Sequence, residues 1–409
     1  MADAPTPERT LSGIRILDLS RILAGPFCTM MLGDQGADVI KVERPGVGDD
    51  TRTWGPPFAG GESAYYLCCN RNKRSIVVDL KKPEGIALIR EMAKVSDVLV
   101  ENFTPGLMKR FGLDYETLRE ENPRLVYCSI TAYGQDGPYR DRPGYDMVLS
   151  AVGGLMWITG EADGPPCKVG VAITDVLTGV YASGAITAAL FWRERSGKGQ
   201  YIDCSLLDAQ VSGLANIASN YLVAGKEAKR WGTAHESIVP YQVFDTEDHP
   251  IAIAVANQKL WESFCKAMDQ PDWLADERFA SNPKRVEFRH VLLPLIADAL
   301  KQKTCAEWTE VFVKAAVPAG PVNNMERLFG DPQVAHRRMI EEVEHPTIGS
   351  LRLGGIPMKF SDTPGVVQRP PPLLGQHTDE ILRDVLDCDD ARIEALSAEG
   401  VIARVEPRS

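Results

Sequence analysis

The stretch LSGIRILDLSRILAGPFCTMMLGDQGADVIKVE, residues 11–43, decides the fold. Its apolar runs IRILDL (14–19) and VIKVE (39–43) have strand length. The segment from Gly25 to Gln35 between them reads as a helix, so the whole is one β-α-β unit. The pattern recurs downstream. SIVVDL starts at Ser75, a helix runs from Pro83 to Val95 with proline suited to its first turn, DVLVEN starts at Asp97, and RLVYCSI starts at Arg124. Strands that lack polar alternation and are spaced by helices belong in a parallel sheet covered on both faces. The expectation is an α/β protein whose large domain is a Rossmann-like, doubly wound parallel sheet.

At 409 residues, with 44% hydrophobic and 25% charged side chains, the chain can bury two domain-sized cores. We expect a large domain at 1–205, a linker helix at 206–225, a smaller α+β domain at 226–330 and a C-terminal segment, 331–409, returning to the large domain. Within the large domain a helix is expected from Tyr145 to Trp157. A second begins in GVAITDVLTGVYASG (170–184), is small-sided almost all round, and stops at Ser196-Gly197-Lys198-Gly199. The smaller domain opens with a hairpin, YQVFDTEDHPIAIAV, turning near Asp248. Amphipathic helices follow at 259–268, 286–300 and 306–315. There is no internal repeat.

A net charge of −11 argues against a nucleic-acid or anionic-membrane surface, while leaving room for a local basic pocket. No run reaches the roughly 18 apolar residues of a membrane span. The opening MADAPTPERT has neither an apolar core nor an arginine-rich pattern, so a cytoplasmic protein is expected, or a mitochondrial-matrix protein with its presequence removed. Nine cysteines without any C-x-x-C spacing suggest a reducing compartment and no zinc site. After the first strand, SRILAGPFC carries one glycine where a dinucleotide fingerprint needs three. Phosphate-loop, serine-hydrolase and zinc-peptidase motifs are likewise missing.

Asp175 is the one carboxylate in residues 170–184. At a helix start it would serve as an N-cap, worth about 1 kcal/mol. Free N–H groups and the positive end of the helix dipole would there keep it ionised and lower its pKa.

Eight motifs in order, LSGIRILDLSRILAGPFC, LGDQGADVIKVERPGVGD, NRNKRSIVVDL, DVLVENFTPG, YGQDGPY, GVAITDVLTGVYA, GKGQYIDCSLLDA and LLGQHTDEIL, resemble the class III CoA-transferases, the formyl-CoA and carnitine-CoA transferase family. The resemblance implies that Asp175 is the catalytic nucleophile. It would attack a thioester, pass through a mixed anhydride and store the CoA as an aspartyl thioester. CoA thioester is then a substrate, with no tightly bound cofactor, no metal, and an interlocked homodimer as the assembly. Matching positions imply CoA contacts at Ile22, Ala24, Arg44, Lys81, Asn102, Phe103 and Arg110, with Tyr145 in the same site. Leu23 stands where formyl-CoA members carry glutamine, and Gly232-Thr233-Ala234-His235 replaces their glycine loop, so oxalate is not the expected acid. α-Methylacyl-CoA racemases share the scaffold but use a histidine in Gly-His-Asp. Here the triplet is Gly144-Tyr145-Asp146, which removes that base. A non-catalytic CoA-binding protein is the remaining alternative.

DDTRTWGPPF, KRWGTAHESIVPYQVF, GPVNNM and RPPPLLGQHT are similar to a subgroup that uses succinyl-CoA and glutarate. A dicarboxylic acid needs a cation for its distal carboxylate. Arg52, Arg71, Arg230 and His235, with Gly232 in the replaced loop, are the candidates.

Overall fold

The computed structural model describes residues 8–404. Residues 1–7, which carry most of the opening segment read above for a leader, lie outside the described residues.

β1 (Arg15–Asp18), α1 (Ala24–Asp34) and β2 (Asp38–Glu43) form the first unit of the pattern. β3 (Lys73–Val78), α2 (Pro83–Lys94), β4 (Val98–Glu101), α3 (Leu107–Phe111) and β5 (Val126–Thr131) continue it. Next come α4 (Asp146–Val152), α5 (Ile173–Ser196), β6 (Tyr201–Ser205), α6 (Leu206–Gly213) and α7 (Ala215–Ala224). The strands β7 (Tyr241–Phe244), β8 (Ile251–Ala254) and β9 (Ala319–Pro321) make a three-stranded antiparallel sheet. β10 (Ile340–His345) and β11 (Gly349–Gly354) pair as a hairpin, and β12 (Ile402–Ala403) closes the chain.

The main sheet has seven strands in the order β12-β3-β2-β1-β4-β5-β6. All neighbours are parallel except β12, which runs antiparallel to β3. The sequence therefore moves outward from β1 on one side, returns, and moves outward on the other. That places a topological switch point between β1 and β4, where open α/β sheets bind ligands at the strand C-termini.

Both faces are covered, which explains why the strands lack polar alternation. Leu17 packs with Ile76, Leu88 and Leu99 on one face. Its neighbour Ile16 packs with Val98, Val100, Ala182 and Ile186 on the other, as the two-residue strand period requires. α1 and α5 lie together on this second face. A Cβ at Gly179 of α5 would come within 2.7 Å of the Ala24 carbonyl of α1, so only glycine lets the two helices approach this closely. Among the described residues α5 alone is long and apolar enough to cross a membrane by length and composition. Its Thr174, Asp175, Thr178, Ser183 and Arg193 are nonetheless buried in the protein.

The chain divides into two compact units. The first takes the residues up to Leu155, Val169–Gly225 and those from Gln333 onward; the second takes Met156–Lys168 and Lys226–Pro332. Two segments fall elsewhere than the sequence placed them. Residues 156–168, expected in the large domain, join the second unit: Arg230 donates to the carbonyls of Trp157 and Gly164 at 3.0 and 3.1 Å, and Gly232 N donates to Gly160 O at 3.0 Å. Residues 206–225, expected as a linker, belong to the first unit. There Leu177 fills the space above Gly213, and the Tyr181 and Ser212 hydroxyls lie 2.9 Å apart. The expected helix at 145–157 is two short helices separated by Gly153 and Gly154, the latter at φ +83. The second unit has its own core around Trp261, Phe264, Trp308 and Phe312.

Candidate active site

Three loops meet at the C-terminal ends of β1, β4 and β5. The β1 loop (Leu19–Leu23) is held by buried charge. The Asp18 carboxylate accepts hydrogen bonds from Ser20 N (2.9 Å), Thr29 Oγ1 (2.6 Å) and Lys73 Nζ (3.1 Å). Lys41 Nζ donates to Ser20 O (3.1 Å) and to Asp49 (2.9 Å), and Lys41 and Asp49 are both fully buried side chains. Burial alone would raise the Asp49 pKa, but Lys41 and the Thr51 amide and hydroxyl reverse this and bring it to about 2. Asp49 also accepts from Ile22 N at 3.2 Å. Ile22 sits at φ +74, a strained conformation for a β-branched residue. The ion network fixes that backbone and so presents Ile22, Leu23 and Ala24 to the cleft. From β4, Asn102 clamps the same loop, accepting from Arg21 N (2.9 Å) and donating to Arg21 O (2.7 Å).

Asp175 is the third residue of α5 and only 8% exposed. Its backbone contacts overturn the expected capping arrangement. Neither Asp175 nor Thr174 caps the helix by its side chain. Asp146, the first residue of α4, reaches across and accepts from Thr174 N at 2.8 Å and Asp175 N at 3.3 Å. Thr174 Oγ1 is occupied by Gln210 Oε1 at 2.7 Å. The Asp175 carboxylate makes no hydrogen bond within the described residues and lines the cleft. The expected lowering of its pKa is overturned as well: burial pushes it up, the negative Asp146 adds to this, and it reaches about 7. The helix N-terminus is answered by Asp146, so little of its field is left for Asp175.

The cleft around Asp175 has a volume of about 430 Å³. Ile22, Ala24, Asn102, Phe103 and Tyr145 line it. A second cavity, of about 330 Å³, is lined by Arg44, Lys81 and the apolar side chains of Val78, Leu80, Leu107 and Phe111. The two cavities share Arg21 and Phe103, whose guanidinium and ring lie 5.7 Å apart. The first cavity thus holds a carboxylate, and the neighbouring one holds Lys81, Asp79 and the Asp50-paired Arg44 over an apolar wall. That arrangement suits a long ligand with a reactive end and an anionic end. Arg110 lies on α3, exposed, and lines neither cavity.

Two of the acid-binding candidates, Arg52 and Arg71, are held by partners of their own. Arg52 is bound by both Glu43 oxygens (2.7 and 2.8 Å), by Glu62 (3.1 Å) and by the Tyr66 hydroxyl (2.6 Å). Arg71 is bound bidentately by Asp34 at 2.9 and 2.7 Å. Both guanidiniums are buried, and a buried cation requires such partners, so these two are structural ion pairs. Arg230, Gly232 and His235 belong to the second unit. There Arg230 lies over the Trp157 ring at 5.3 Å, Gly232 takes φ +58, and His235 Nδ1 accepts from Ser237 N at 3.0 Å. The sequence reading missed Arg21, Arg140, Arg142 and the capping Asp146. Arg140 and Arg142 line the Asp175 cleft, Arg142 stacked on Tyr139 at 3.6 Å. RDRPGYD (140–146) placed both close to Tyr145, so a count of cations around that motif would have found them. Among the described residues no group of three His, Cys, Asp or Glu side chains is arranged to hold a metal ion.

Residues 11–378 match the family described as CoA-transferase family III. The chain is 50% identical over 398 residues to succinyl-CoA:glutarate CoA-transferase of Homo sapiens, covering 97% of this chain and 91% of that one. It is 45% identical over 394 residues to succinate–glutarate CoA-transferase of Agrobacterium fabrum, covering 94% and 98%. Among solved structures, a CAIB/BAIF family protein from Brucella suis superposes with a TM-score of 0.83 at 42% identity, over 92% of this chain and all of that one.

Proposed function

Because the chain belongs to CoA-transferase family III and is an enzyme that transfers CoA, we propose that it moves CoA from succinyl-CoA to glutarate or a similar dicarboxylate through Asp175. One observation carries this reading: an unbonded, buried carboxylate in a cleft that shares Arg21 and Phe103 with a second cavity lined by Arg44 and Lys81. An Asp175 oxygen attacks the thioester carbonyl and expels CoA thiolate, leaving a succinyl-aspartyl anhydride. The thiolate then attacks the aspartyl carbonyl, releasing succinate and leaving an aspartyl-CoA thioester. A glutarate carboxylate repeats the first step on that thioester. The freed thiolate takes the glutaryl carbonyl, and Asp175 returns as a carboxylate. Every step exchanges one acyl bond for another, so no net proton transfer is needed.

Arg44 and Lys81 would meet the CoA phosphates, and Phe103 the adenine end. Of the cations lining the Asp175 cleft, Arg21 is tied to Asp50 at 2.8 Å. Arg140 meets Asp141 only at 3.5 Å between exposed side chains, a pairing worth little. Arg140 and Arg142 are therefore our candidates for the distal carboxylate. The exposed apolar residues Tyr181, Phe191 and Trp192 on α5 and Tyr221, Leu222 and Val223 on α7 support a second copy as partner, since patches of this kind mark interfaces.

Trapping tests the reading. Succinyl-CoA followed by hydroxylamine or borohydride should modify Asp175 in a peptide found by mass spectrometry; an unmodified Asp175 during turnover sinks the nucleophile. Across a panel of free acids, glutarate, adipate and other dicarboxylates should exceed monocarboxylates of equal length. Equal rates would remove the role of the lining arginines.

The pH profile follows from Asp175. Only the ionised form attacks, so kcat/KM, which reports the free enzyme, should rise with pH through a midpoint near 7 and level off above it. Asp146→Asn keeps a capping oxygen and removes the repelling charge, so the midpoint should move to lower pH. An unmoved midpoint would mean that burial alone sets it.

A further inference from the structure

Among the described residues, no hydrogen bond or ion pair answers the guanidinium of Arg9. The residue is 9% exposed, its Nε has no hydrogen-bond partner, and it forms no ion pair within the described residues. Its backbone is fixed by a turn in which Arg9 N donates to Ser12 Oγ at 2.8 Å and Ser12 N to Arg9 O at 3.1 Å. Its stem lies over Gly36, where a Cβ would come within 2.8 Å of it. Gln35, which follows α1 and accepts from Thr10 Oγ1 of that turn at 3.1 Å, leaves its Nε2 unbonded too. Burial lowers the Arg9 pKa, with Asp34 opposing only at a distance.

The side chain lines a cavity of about 210 Å³ with Asp38, Asn72, Arg74, Gln368 and Arg369. Asp38 begins β2 and Arg74 is the second residue of β3, so the cavity lies at the N-terminal edge of the sheet, opposite the Asp175 cleft. The charges facing it are accounted for except one. Arg74 is engaged by Asp38 at 2.7 Å, Glu380 at 3.1 Å and Asp384 at 3.3 Å. Asp38 also takes Arg15 at 3.3 Å, Arg71 holds Asp34 at 2.7 Å, and Arg369 reaches Glu380 only at 3.8 Å. A buried donor without a partner, as Arg9 Nε is here, carries a desolvation cost; an acceptor in the cavity would offset that cost.

We propose that this cavity binds a small oxyanion, a carboxylate or a phosphate, through charge-assisted hydrogen bonds from Arg9 with Arg369 at its rim. The site is separate from the proposed transfer reaction and does not depend on it.

Calorimetric titration of the native protein with sodium phosphate and, in a second arm, sodium acetate, at constant ionic strength, tests this. At least one anion should bind once per chain, and Arg9→Met should weaken it about tenfold or more, the scale of losing one charged hydrogen bond. The arm that responds identifies the source of the oxyanion. Arg9→Met keeps the stem over Gly36 and removes an unanswered charge, so its melting temperature without anion should equal or exceed that of the native protein, and transfer activity should be unchanged. Arg369→Gln, at a half-exposed position, should weaken the same anion and is the check if Arg9→Met does not fold. Binding of neither anion at about 10 mM, where even a millimolar site would be occupied, overturns the proposal. So does an affinity that both substitutions leave unchanged.

Discussion

Asp175→Asn is expected to abolish CoA transfer and, at alkaline pH, to make the protein more stable. The substitution keeps the size and position of the side chain but removes the attacking oxygen anion. The rate should fall roughly ten-thousand-fold or more, the scale seen when the nucleophile of a covalent mechanism is lost, and no aspartyl adduct should form. The gain in stability comes from the same burial that prepares the residue. Holding an acid at about 7 instead of its usual 3.8 means that between those values the native state keeps a proton that the unfolded chain releases. Stability from this group is complete below pH 4 and is lost as pH rises through about 7. At about 1.4 kcal/mol per pH unit, the loss at pH 8 is on the order of 4 kcal/mol. Urea unfolding of both proteins at pH 4.5 and pH 8 checks this. The Asn variant should be ahead at pH 8 and ahead by only about 1 kcal/mol at pH 4.5. A variant no more stable at pH 8 would mean that Asp175 is solvated as an ordinary carboxylate, while retained activity would end its role as nucleophile.

Lys41→Met should carry the largest loss of stability. Lys41 and Asp49 are fully buried side chains 2.9 Å apart, and Lys41 is held protonated against its burial by Asp49 and Asp18. Removing the amine strands a carboxylate in the interior, which costs about 3–5 kcal/mol, and frees the Ser20 carbonyl as well. The urea midpoint should drop accordingly. Lys41→Met combined with Asp49→Leu removes both charges and should recover much of that stability. It should not recover activity, because Ile22 N would have lost the acceptor that holds it at φ +74. Recovery of both would show that the network only supports the fold. Loss of both would show that the interior cannot repack around two apolar side chains.

The sheet was readable because its signal is local: IRILDL, VIKVE, SIVVDL and DVLVEN each announce burial on both faces. β12 was not, since two residues next to a glycine carry no pattern and become a strand only because Val78 lies opposite Ile402. The position of Asp175 at a helix start was also legible, but its chemistry was not. Capping is read from neighbours in sequence, whereas the cap here comes from Asp146, 28 residues upstream of Thr174. That same residue, with burial, turns the expected lowering of the Asp175 pKa into a rise. Arg52 and Arg71 show the opposite failure. Arg52 lies in a stretch shared with the subgroup and Arg71 in one shared with the whole family, yet the arginines neutralise Glu43 and Asp34 inside the protein, and no pattern in one sequence separates a cation kept for a ligand from one that supports the fold. Arg140 and Arg142, which line the Asp175 cleft, stand beside Tyr145 in the sequence and were legible there as nearby cations.

The β12–β3 pairing also sets an order on synthesis. Val78 must wait for Ile402, 324 residues later (402 − 78), before the edge of its sheet is closed. At about 5–20 residues per second, the elongation rate of translation, that interval is roughly a quarter of a minute to a minute. During it the nascent chain carries an open strand edge, the kind of surface that pairs with the wrong neighbour. Residues 226–332, with an aromatic core of their own, emerge inside this interval and can fold while the larger unit is still incomplete.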